Sequence, residues 1–232
     1  MTVTGIPTGD VIIRALIFDF DGLILDTETP EYEAWRDIYL ELGQDLTLET
    51  WGQIVGGMAA SDFRPLPHLQ TLTGRDLTPL NLSVRASERN LACILTLPPL
   101  PGVLATLRAA RRMGLRLAVA SSSSHRWVDG HLARLGMIHF FEVIKCADDV
   151  SRTKPEPDLY LSVLGALGVS PLEAIAFEDA PHGVMAACHA GIFVVAIPNP
   201  VTAQLKIVGE NLRLNSLANL NLDGLLNKVN KL

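Results

Sequence analysis

The chain has 232 residues, of which 48% are hydrophobic and 19% are charged, and its formal net charge is −6. This composition excludes intrinsic disorder, collagen and a disulfide-stapled miniprotein, and it leaves ample apolar material for a buried core. The excess of acidic residues also argues against a dominant basic surface, so nucleic acid is not an expected partner.

The sequence indicates a protein of the cytoplasm. Cys93, Cys146 and Cys188 lie far apart and form no paired motif, which is typical of buried thiols rather than of disulfides or a thiolate metal site. No apolar run approaches the ~18–20 residues needed to span a bilayer, and the N-terminus lacks the pattern of a signal peptide. We therefore expect no membrane partner, whereas the oligomeric state stays open.

Short apolar runs alternate with helical patterns along most of the chain. Near-continuous apolar runs fit strands of a parallel sheet that is buried on both faces. The predicted strands are Ala15–Phe18, Arg116–Ala120, Ala174–Phe177 and Ile192–Ile197, with Val143–Cys146 and an edge strand at Leu212–Leu214 as weaker candidates. The predicted helices, each followed by glycine, are Val103–Met113, Arg126–Leu135 and Asp158–Leu167. This alternation predicts an α/β fold with a doubly wound, Rossmann-like parallel sheet.

Residues 28–99 interrupt the alternation. They contain helical patterns at Tyr32–Leu42, Leu48–Val55 and Leu82–Leu97, and no apolar run there ends in an acidic residue. We interpret this segment as an inserted α-helical cap domain. The α/β core then comprises residues 1–27 and 100–232.

The strongest chemical signal follows the first predicted strand, where Asp19 and Asp21 stand two residues apart and Gly22 comes next. Ligands of open α/β sheets collect at the carboxyl ends of the strands. One aspartate there can act as a nucleophile while a second transfers protons, and Gly22 lets the backbone turn closely beside the ligand. An ordinary turn is the alternative, because Asp-x-Asp-Gly is also common in loops.

Three further groups follow other predicted strands. Ser121 and Ser122 begin a run of four serines at a strand–helix junction, where hydroxyls and amides bind phosphate or simply cap the helix. Lys154 lies just before Pro155 and either meets an anion or is a solvated loop residue. Glu178 and Asp179 repel each other unless a cation such as Mg²⁺ compensates them, and a helix cap is the alternative. Together these groups predict a site for phosphoryl transfer.

The order and spacing of these motifs resemble those of the haloacid dehalogenase superfamily over residues 16–200. Within it, the chain is similar to the β-phosphoglucomutase-like phosphatase branch, which carries a helical cap. The segments that match the four family motifs are Asp19-Phe20-Asp21-Gly22, Ser121, Lys154 and Glu178-Asp179.

The resemblance implies a Mg²⁺-dependent phosphatase that acts on a small phosphorylated metabolite, such as a sugar or polyol phosphate. Asp19 would attack phosphorus and become an aspartyl phosphate. Asp21 would protonate the leaving oxygen and then activate water. The implied metal ligands are Asp19, Asp21 through its backbone carbonyl, Glu178 and Asp179. The predicted substrate-binding residues are Gly22, Ser121, Ser122 and Lys154.

Two departures from the family pattern bear on the reaction. Glu31 stands where β-phosphoglucomutases carry a cap histidine linked to mutase action, which favours hydrolysis. Ala180 replaces a serine that usually follows the fourth motif, which affects local hydrogen bonding. The alternatives are a sugar-phosphate mutase and, from another class, a catalytically silent module that binds a phosphorylated metabolite.

Weaker candidates lie in the cap and in the helices. The segment Gly56–Ser61 is expected to reach the leaving group. Three arginines are candidates for binding a second anionic group, with a solvated surface as the alternative: Arg64, Arg85 and Arg89. The three tryptophans, Trp35, Trp51 and Trp127, are interpreted as packing anchors rather than as groups that contact the substrate. His125 is interpreted as a cap or an exposed residue in preference to a phosphate contact.

Overall fold

The structure, a computed structural model, describes residues 12–55 and 64–231, apart from the side chains of residues 53–55. The predicted cap loop at Gly56–Ser61 lies outside the described residues. Within them, no helix combines the length and the hydrophobicity needed to cross a bilayer.

The described residues form a six-stranded parallel sheet with the strand order β3-β2-β1-β4-β5-β6. The strands are β1 (Ala15–Phe18), β2 (Arg116–Ala120), β3 (Val143–Lys145), β4 (Ala174–Glu178), β5 (Phe193–Ala196) and β6 (Leu212–Arg213). β1 pairs in register with β2 and β4, Ala15 lying opposite both Arg116 and Ala174. The predicted α/β class and the predicted parallel sheet are confirmed. β4 runs one residue further than predicted, so that Glu178 is its last residue.

Nine α-helices are present in the described part of the chain. They are α1 (Glu28–Glu41), α2 (Leu48–Val55), α3 (Pro65–Thr73), α4 (Leu82–Ile94), α5 (Val103–Arg112), α6 (His125–Arg134), α7 (Asp158–Leu167), α8 (Pro181–His189) and α9 (Leu222–Val229). Helix α3, which contains two prolines, is not among the helices predicted from the sequence. Both lie in its first turn, where a missing N–H costs no helical hydrogen bond.

Helices cover both faces of the sheet. Alternate residues of a strand point to opposite sides, so one strand can contribute to an apolar cluster on each face. Leu16 and Phe18 of β1 join the apolar cluster that contains residues of α5, α6 and α9. Ala15 and Ile17 join a second cluster that contains residues of α7 and α8. Burial on both faces explains why the strands are continuous apolar runs.

Helices α1 to α4 share a third apolar cluster, which includes Trp35, Trp51 and Leu69. Two residues cross between the clusters: Ile94 at the end of α4 belongs to the core cluster, and Val201 of the core belongs to the cap cluster. The separate clusters support the division into a cap at 28–99 and a core at 1–27 and 100–232, which stays a prediction.

Two of the predicted anion-binding arginines are used inside the cap. Arg85 and Arg89 of α4 pair with opposite oxygens of Glu41 of α1 at 2.6 and 2.5 Å. They therefore join two cap helices and do not line the cavity described below. The alternative interpretation, a surface role, fits their placement.

Arg134 of α6 fixes the segment that leads from α4 back to the core. Its guanidinium donates hydrogen bonds to the carbonyl oxygens of Ile94, Leu95 and Leu97 at 3.2, 3.1 and 3.0 Å. A guanidinium carries five N–H donors, so it can satisfy several of the carbonyls left free at a helix end. The end of the cap helix is thereby fastened to α6.

Gly102, which precedes α5, allows a close approach between two backbone segments. Its φ is +88°, and a Cβ there would lie 2.1 Å from the backbone nitrogen of Ala218. We expect Gly102→Ala to lower the free energy of unfolding by about 3 kcal/mol, since left-handed strain and a backbone clash add together. Gly114 is the control: its φ is +75° with no atom within 4 Å of the built Cβ, so Gly114→Ala should cost about 1 kcal/mol. Equal losses in urea unfolding would contradict the clash.

Candidate active site

Asp19 directly follows β1, the strand that lies between β2 and β4. The backbone N–H of Asp19 donates to the carbonyl of Phe177 at 3.0 Å, which extends the pairing of β1 with β4 by one residue. The chain then turns back, the N–H of Gly22 donating to the carbonyl of Leu25 at 2.8 Å. Asp19 is thereby held at the carboxyl edge of the sheet, on the wall of a cavity of about 450 Å³.

Three buried carboxylates meet at this edge. Asp19, Glu178 and Asp179 each offer an oxygen, and these oxygens all lie within 4.8 Å of one another. The Lys154 ammonium reaches them from the loop between β3 and α7. It donates a hydrogen bond to Oδ1 of Asp19 and lies 2.7 Å from Oε1 of Glu178. The hydroxyl of Tyr160 also donates to Oε1 of Glu178.

Burial disfavours the ionised forms of these acids. It raises the pKa of Asp19 to about 7, although the charge of Lys154 acts in the opposite direction. Burial and the charge of Asp19 also raise the pKa of Asp179. Burial would lower the pKa of Lys154, but Asp19 and Glu178 outweigh it and raise that pKa.

The charges of this cluster suit a divalent cation. When all the groups are ionised, three carboxylates face the single ammonium of Lys154, which leaves an excess of two negative charges. Carboxylate oxygens are the ligands that Mg²⁺ prefers. The donor set of Asp19, Glu178 and Asp179 therefore fits the metal that the sequence predicts.

Two glycines let the backbone pack against the carboxylates. A Cβ on Gly183 of α8 would lie 1.9 Å from Oε2 of Glu178, and one on Gly22 would lie 2.3 Å from Oδ2 of Asp179. Asn199 completes this side by donating from Nδ2 to Oδ2 of Asp179 at 2.8 Å. Gly22 thus lies behind Asp179 and not among the residues that line the cavity, a steric position that does not by itself support its predicted contact with substrate.

Asp21 is held by donors from the turn that begins α6. Oδ2 accepts hydrogen bonds from the hydroxyls of Ser123 at 2.6 Å and Ser121 at 3.4 Å. Oδ1 accepts one from Nε1 of Trp127 at 2.8 Å. Ser122 is exposed and lines the cavity. Ser123 is not distinguished by the sequence from its neighbours, and the polar role of Trp127 is not predicted by the interpretation of that residue as a packing anchor.

His125 faces a different set of partners. Its ring nitrogens lie 3.0 Å from Asp129 and 2.7 Å from Asp149, and the residue is not on the cavity wall. Burial lowers the pKa of His125, but the hydrogen bonds to Asp149 and Asp129 outweigh it and raise that pKa. The placement agrees with the interpretation that His125 does not contact phosphate.

The cap side of the cavity is acidic. Glu28 and Glu31 of α1 and Asn90 of α4 line it. Burial and then the charge of Glu31 raise the pKa of Glu28 to about 8, and burial and the charge of Asp21 raise the pKa of Glu31. Oδ1 of Asn90 is buried without a hydrogen-bond partner among the described residues. These groups can accept hydrogen bonds from hydroxyls.

Cations are scarce around this cavity. Of the described residues that line it, Lys154 is the only lysine or arginine, and it is engaged with Asp19 and Glu178. Neither Glu28 nor Asn90 is among the site residues predicted from the sequence. Nothing in the local sequence distinguishes them from surface residues of amphipathic helices.

Known proteins are similar to this chain in sequence and in fold. Residues 16–197 match the family described as "Haloacid dehalogenase-like hydrolase". YhcW of Bacillus subtilis, named as a candidate phosphatase, is 45% identical over 94% of this chain and 99% of its own. The fructose-1-phosphate phosphatase YqaB of Escherichia coli is 32% identical over 78% of this chain and 95% of its own. The crystal structure of a mutant CbbY from Rhodobacter sphaeroides with xylulose-(1,5)-bisphosphate matches with a TM-score of 0.66 and 28% identity, over 92% of this chain and 99% of that one.

Proposed function

The chain belongs to the haloacid dehalogenase-like hydrolase family, in its phosphatase branch, and we propose that it hydrolyses a sugar or polyol monophosphate through an aspartyl phosphate on Asp19. The observation that carries the proposal is the pairing of two differently held aspartates. Asp19 lies in the buried carboxylate cluster beside Lys154, and Asp21 is held by neutral donors at the cavity wall.

The first step forms a bond between a carboxylate oxygen of Asp19 and phosphorus and breaks the bond from phosphorus to the ester oxygen. Asp21 gives its proton to that leaving oxygen. In the second step Asp21 takes a proton from water as the water oxygen bonds to phosphorus. The bond between phosphorus and Asp19 then breaks, which releases inorganic phosphate and restores both carboxyl groups.

Other residues would hold the phosphoryl group and its charge. The ammonium of Lys154 and the hydroxyls of Ser121 and Ser122 are the groups proposed to bind the phosphoryl oxygens. The carboxylates of Asp19, Glu178 and Asp179 and the backbone carbonyl of Asp21 would hold Mg²⁺, whose charge reduces the repulsion between the attacking carboxylate and the phosphate.

The cap side of the cavity supports a hydroxylated leaving group with one phosphate. Glu28, Glu31 and Asn90 offer oxygens that accept hydrogen bonds from hydroxyls. A second phosphate placed there would meet the carboxylates of Glu28 and Glu31 without an arginine or lysine among the described lining residues. For the compartment we propose the cytoplasm, since Cys93, Cys146 and Cys188 are free thiols.

The test is phosphate release from a panel of sugar and polyol monophosphates, sugar bisphosphates and nucleotides, with Mg²⁺ and with EDTA. We expect release that depends on the metal and a preference for monophosphates over bisphosphates of at least about tenfold, because a second phosphate beside Glu28 and Glu31 would lose water without a lysine or arginine of the described lining to pair with it. Isomerisation of a sugar phosphate without release would indicate the mutase. Binding without turnover would indicate the silent binding module.

A further inference from the structure

The two carboxylate oxygens of Asp21 are occupied unequally. Oδ2 accepts from the hydroxyls of Ser123 and Ser121, at 2.6 and 3.4 Å. Oδ1 accepts only from Nε1 of Trp127, at 2.8 Å. Each carboxylate oxygen has two lone pairs. Two serine hydroxyls lie on the side of Oδ2, that of Ser123 at close range and that of Ser121 at a distance that leaves its O–H able to turn to a phosphoryl oxygen. Oδ1 has one donor, Trp127, and keeps one lone pair open.

From this geometry we infer that Trp127 is a positioning residue, which fixes Asp21 so that Oδ1 is the oxygen that exchanges protons with the leaving group and with water. The inference rests on the proposed function. It adds a specific role for a residue that does not itself react.

An indole suits this task because it can donate a hydrogen bond but cannot accept a proton. Nε1–H is a donor only, so Trp127 can orient Oδ1 without competing for the proton that Asp21 transfers. The ring is also fixed. It lies edge-on to the ring of His131, with 4.3 Å between centroids, and His131 is buried.

A packing role alone does not account for the direction of the indole N–H. The cap residue Trp51 is more deeply buried, and its Nε1 has no hydrogen-bond partner among the described residues. Trp127 is partly exposed beside the cavity and aims its N–H at a carboxylate oxygen. The two tryptophans therefore form a matched pair, one with the hydrogen bond and one without it.

The test compares Trp127→Phe with Trp51→Phe, using two substrates. One is the sugar or polyol monophosphate of the panel that the unmodified chain hydrolyses fastest. It is an alkyl phosphate, whose leaving oxygen needs a proton. The other is p-nitrophenyl phosphate, whose leaving group departs as a stabilised anion. The ratio of kcat/KM for the two substrates reports the proton transfer in the first step, because kcat/KM covers the reaction only up to release of the leaving group.

We expect Trp127→Phe to lower kcat/KM for the alkyl phosphate by about 10- to 100-fold, and that for p-nitrophenyl phosphate by less than about threefold. Trp51→Phe should leave the ratio unchanged. An equal loss on both substrates, or no loss, would overturn the positioning role. If the unmodified chain released phosphate from neither substrate, the proposed function itself would fail.

A second pair of variants keeps the test independent of how well Trp127→Phe folds. Ser123→Ala removes the 2.6 Å donor to Oδ2 of Asp21, and Ser124→Ala removes a neighbouring hydroxyl that makes no side-chain cap. Ser123→Ala should shift the same ratio in the same direction, since Asp21 then keeps the bond from Trp127 and only the 3.4 Å contact with Ser121. Ser124→Ala should not shift it. A shift of equal size in both variants would contradict the role of the Ser123 hydroxyl in holding Asp21.

Discussion

Replacing Asp19 by asparagine is expected to abolish phosphate release, with a loss in kcat of at least about 10³-fold, because an amide cannot attack phosphorus to form the acyl phosphate. The change keeps the size of the side chain. It also removes one of three clustered carboxylates, and burial raises the pKa of that group to about 7. We therefore expect the variant to lose its activity without losing stability in EDTA.

Phosphate release and urea unfolding of the same preparation check this prediction. Asp37→Asn is the matched control, since Asp37 is exposed on α1 and should affect neither measurement. Turnover of Asp19→Asn within tenfold of the unmodified chain would remove Asp19 from the proposed role. A large loss of stability would mean that the carboxylate cluster stabilises the fold without metal.

Replacing Lys154 by methionine should have the largest effect on stability. The ammonium lies between Asp19 and Glu178, and its side chain is only 6% exposed. Removing one partner of a buried ion pair costs about 3–5 kcal/mol. We expect a loss of that order in EDTA and a smaller one in Mg²⁺, because the metal offsets the same carboxylates. Phosphate release should fall at least about 10²-fold, since a charged contact to the phosphoryl group is lost.

The loss of stability in Lys154→Met should also depend on pH. Asp19 has a folded-state pKa of about 7, raised above its ordinary value of 3.8, so the folded state binds the proton more tightly than the unfolded state. Stability in EDTA therefore falls as pH rises from about 4 through 7. Lys154 lowers the pKa of Asp19, so Lys154→Met should extend this fall to higher pH.

Urea unfolding between pH 5 and pH 8, in EDTA and in Mg²⁺, checks both parts of the Lys154 prediction. Lys145→Met is the control. Lys145 pairs with Asp149 at 3.3 Å with 27% of its side chain exposed, and surface pairs of this kind contribute about 0–1 kcal/mol. A stability loss for Lys154→Met that does not differ between EDTA and Mg²⁺ would contradict the interpretation that Lys154 and the metal offset the same carboxylates.

The parallel sheet could be predicted because burial on both faces leaves a direct mark on the sequence. β1 and β4 contain only buried positions, and an uninterrupted apolar run records that environment. The carboxyl ends of such strands then identify Asp19 and Asp179 as neighbours. α3 left no comparable mark, since its two prolines look like a loop and only Leu69 is buried.

The site's supporting contacts could not be predicted, because identical residue types differ only in the folded chain. Ser121 is buried, Ser122 is exposed at the cavity, and Ser123 donates to Asp21. Which serine faces Asp21 depends on how α6 begins and on its rotation against β1. The same holds for Trp51 and Trp127. Their side chains are identical, but only the Nε1 of Trp127 has a hydrogen-bond partner among the described residues.

The hydrogen bonds from Arg134 to the last turn of α4 have a mechanical consequence. They fix this turn to α6. Any displacement of the cap helices relative to the core would therefore be smallest near this turn and larger further from it. Asn90 stands one turn before Ile94, and both line the cavity. Asn90 consequently lies close to the turn that Arg134 holds. A substrate hydroxyl that reaches Oδ1 of Asn90 would therefore meet an acceptor whose position is set by the hydrogen bonds of Arg134.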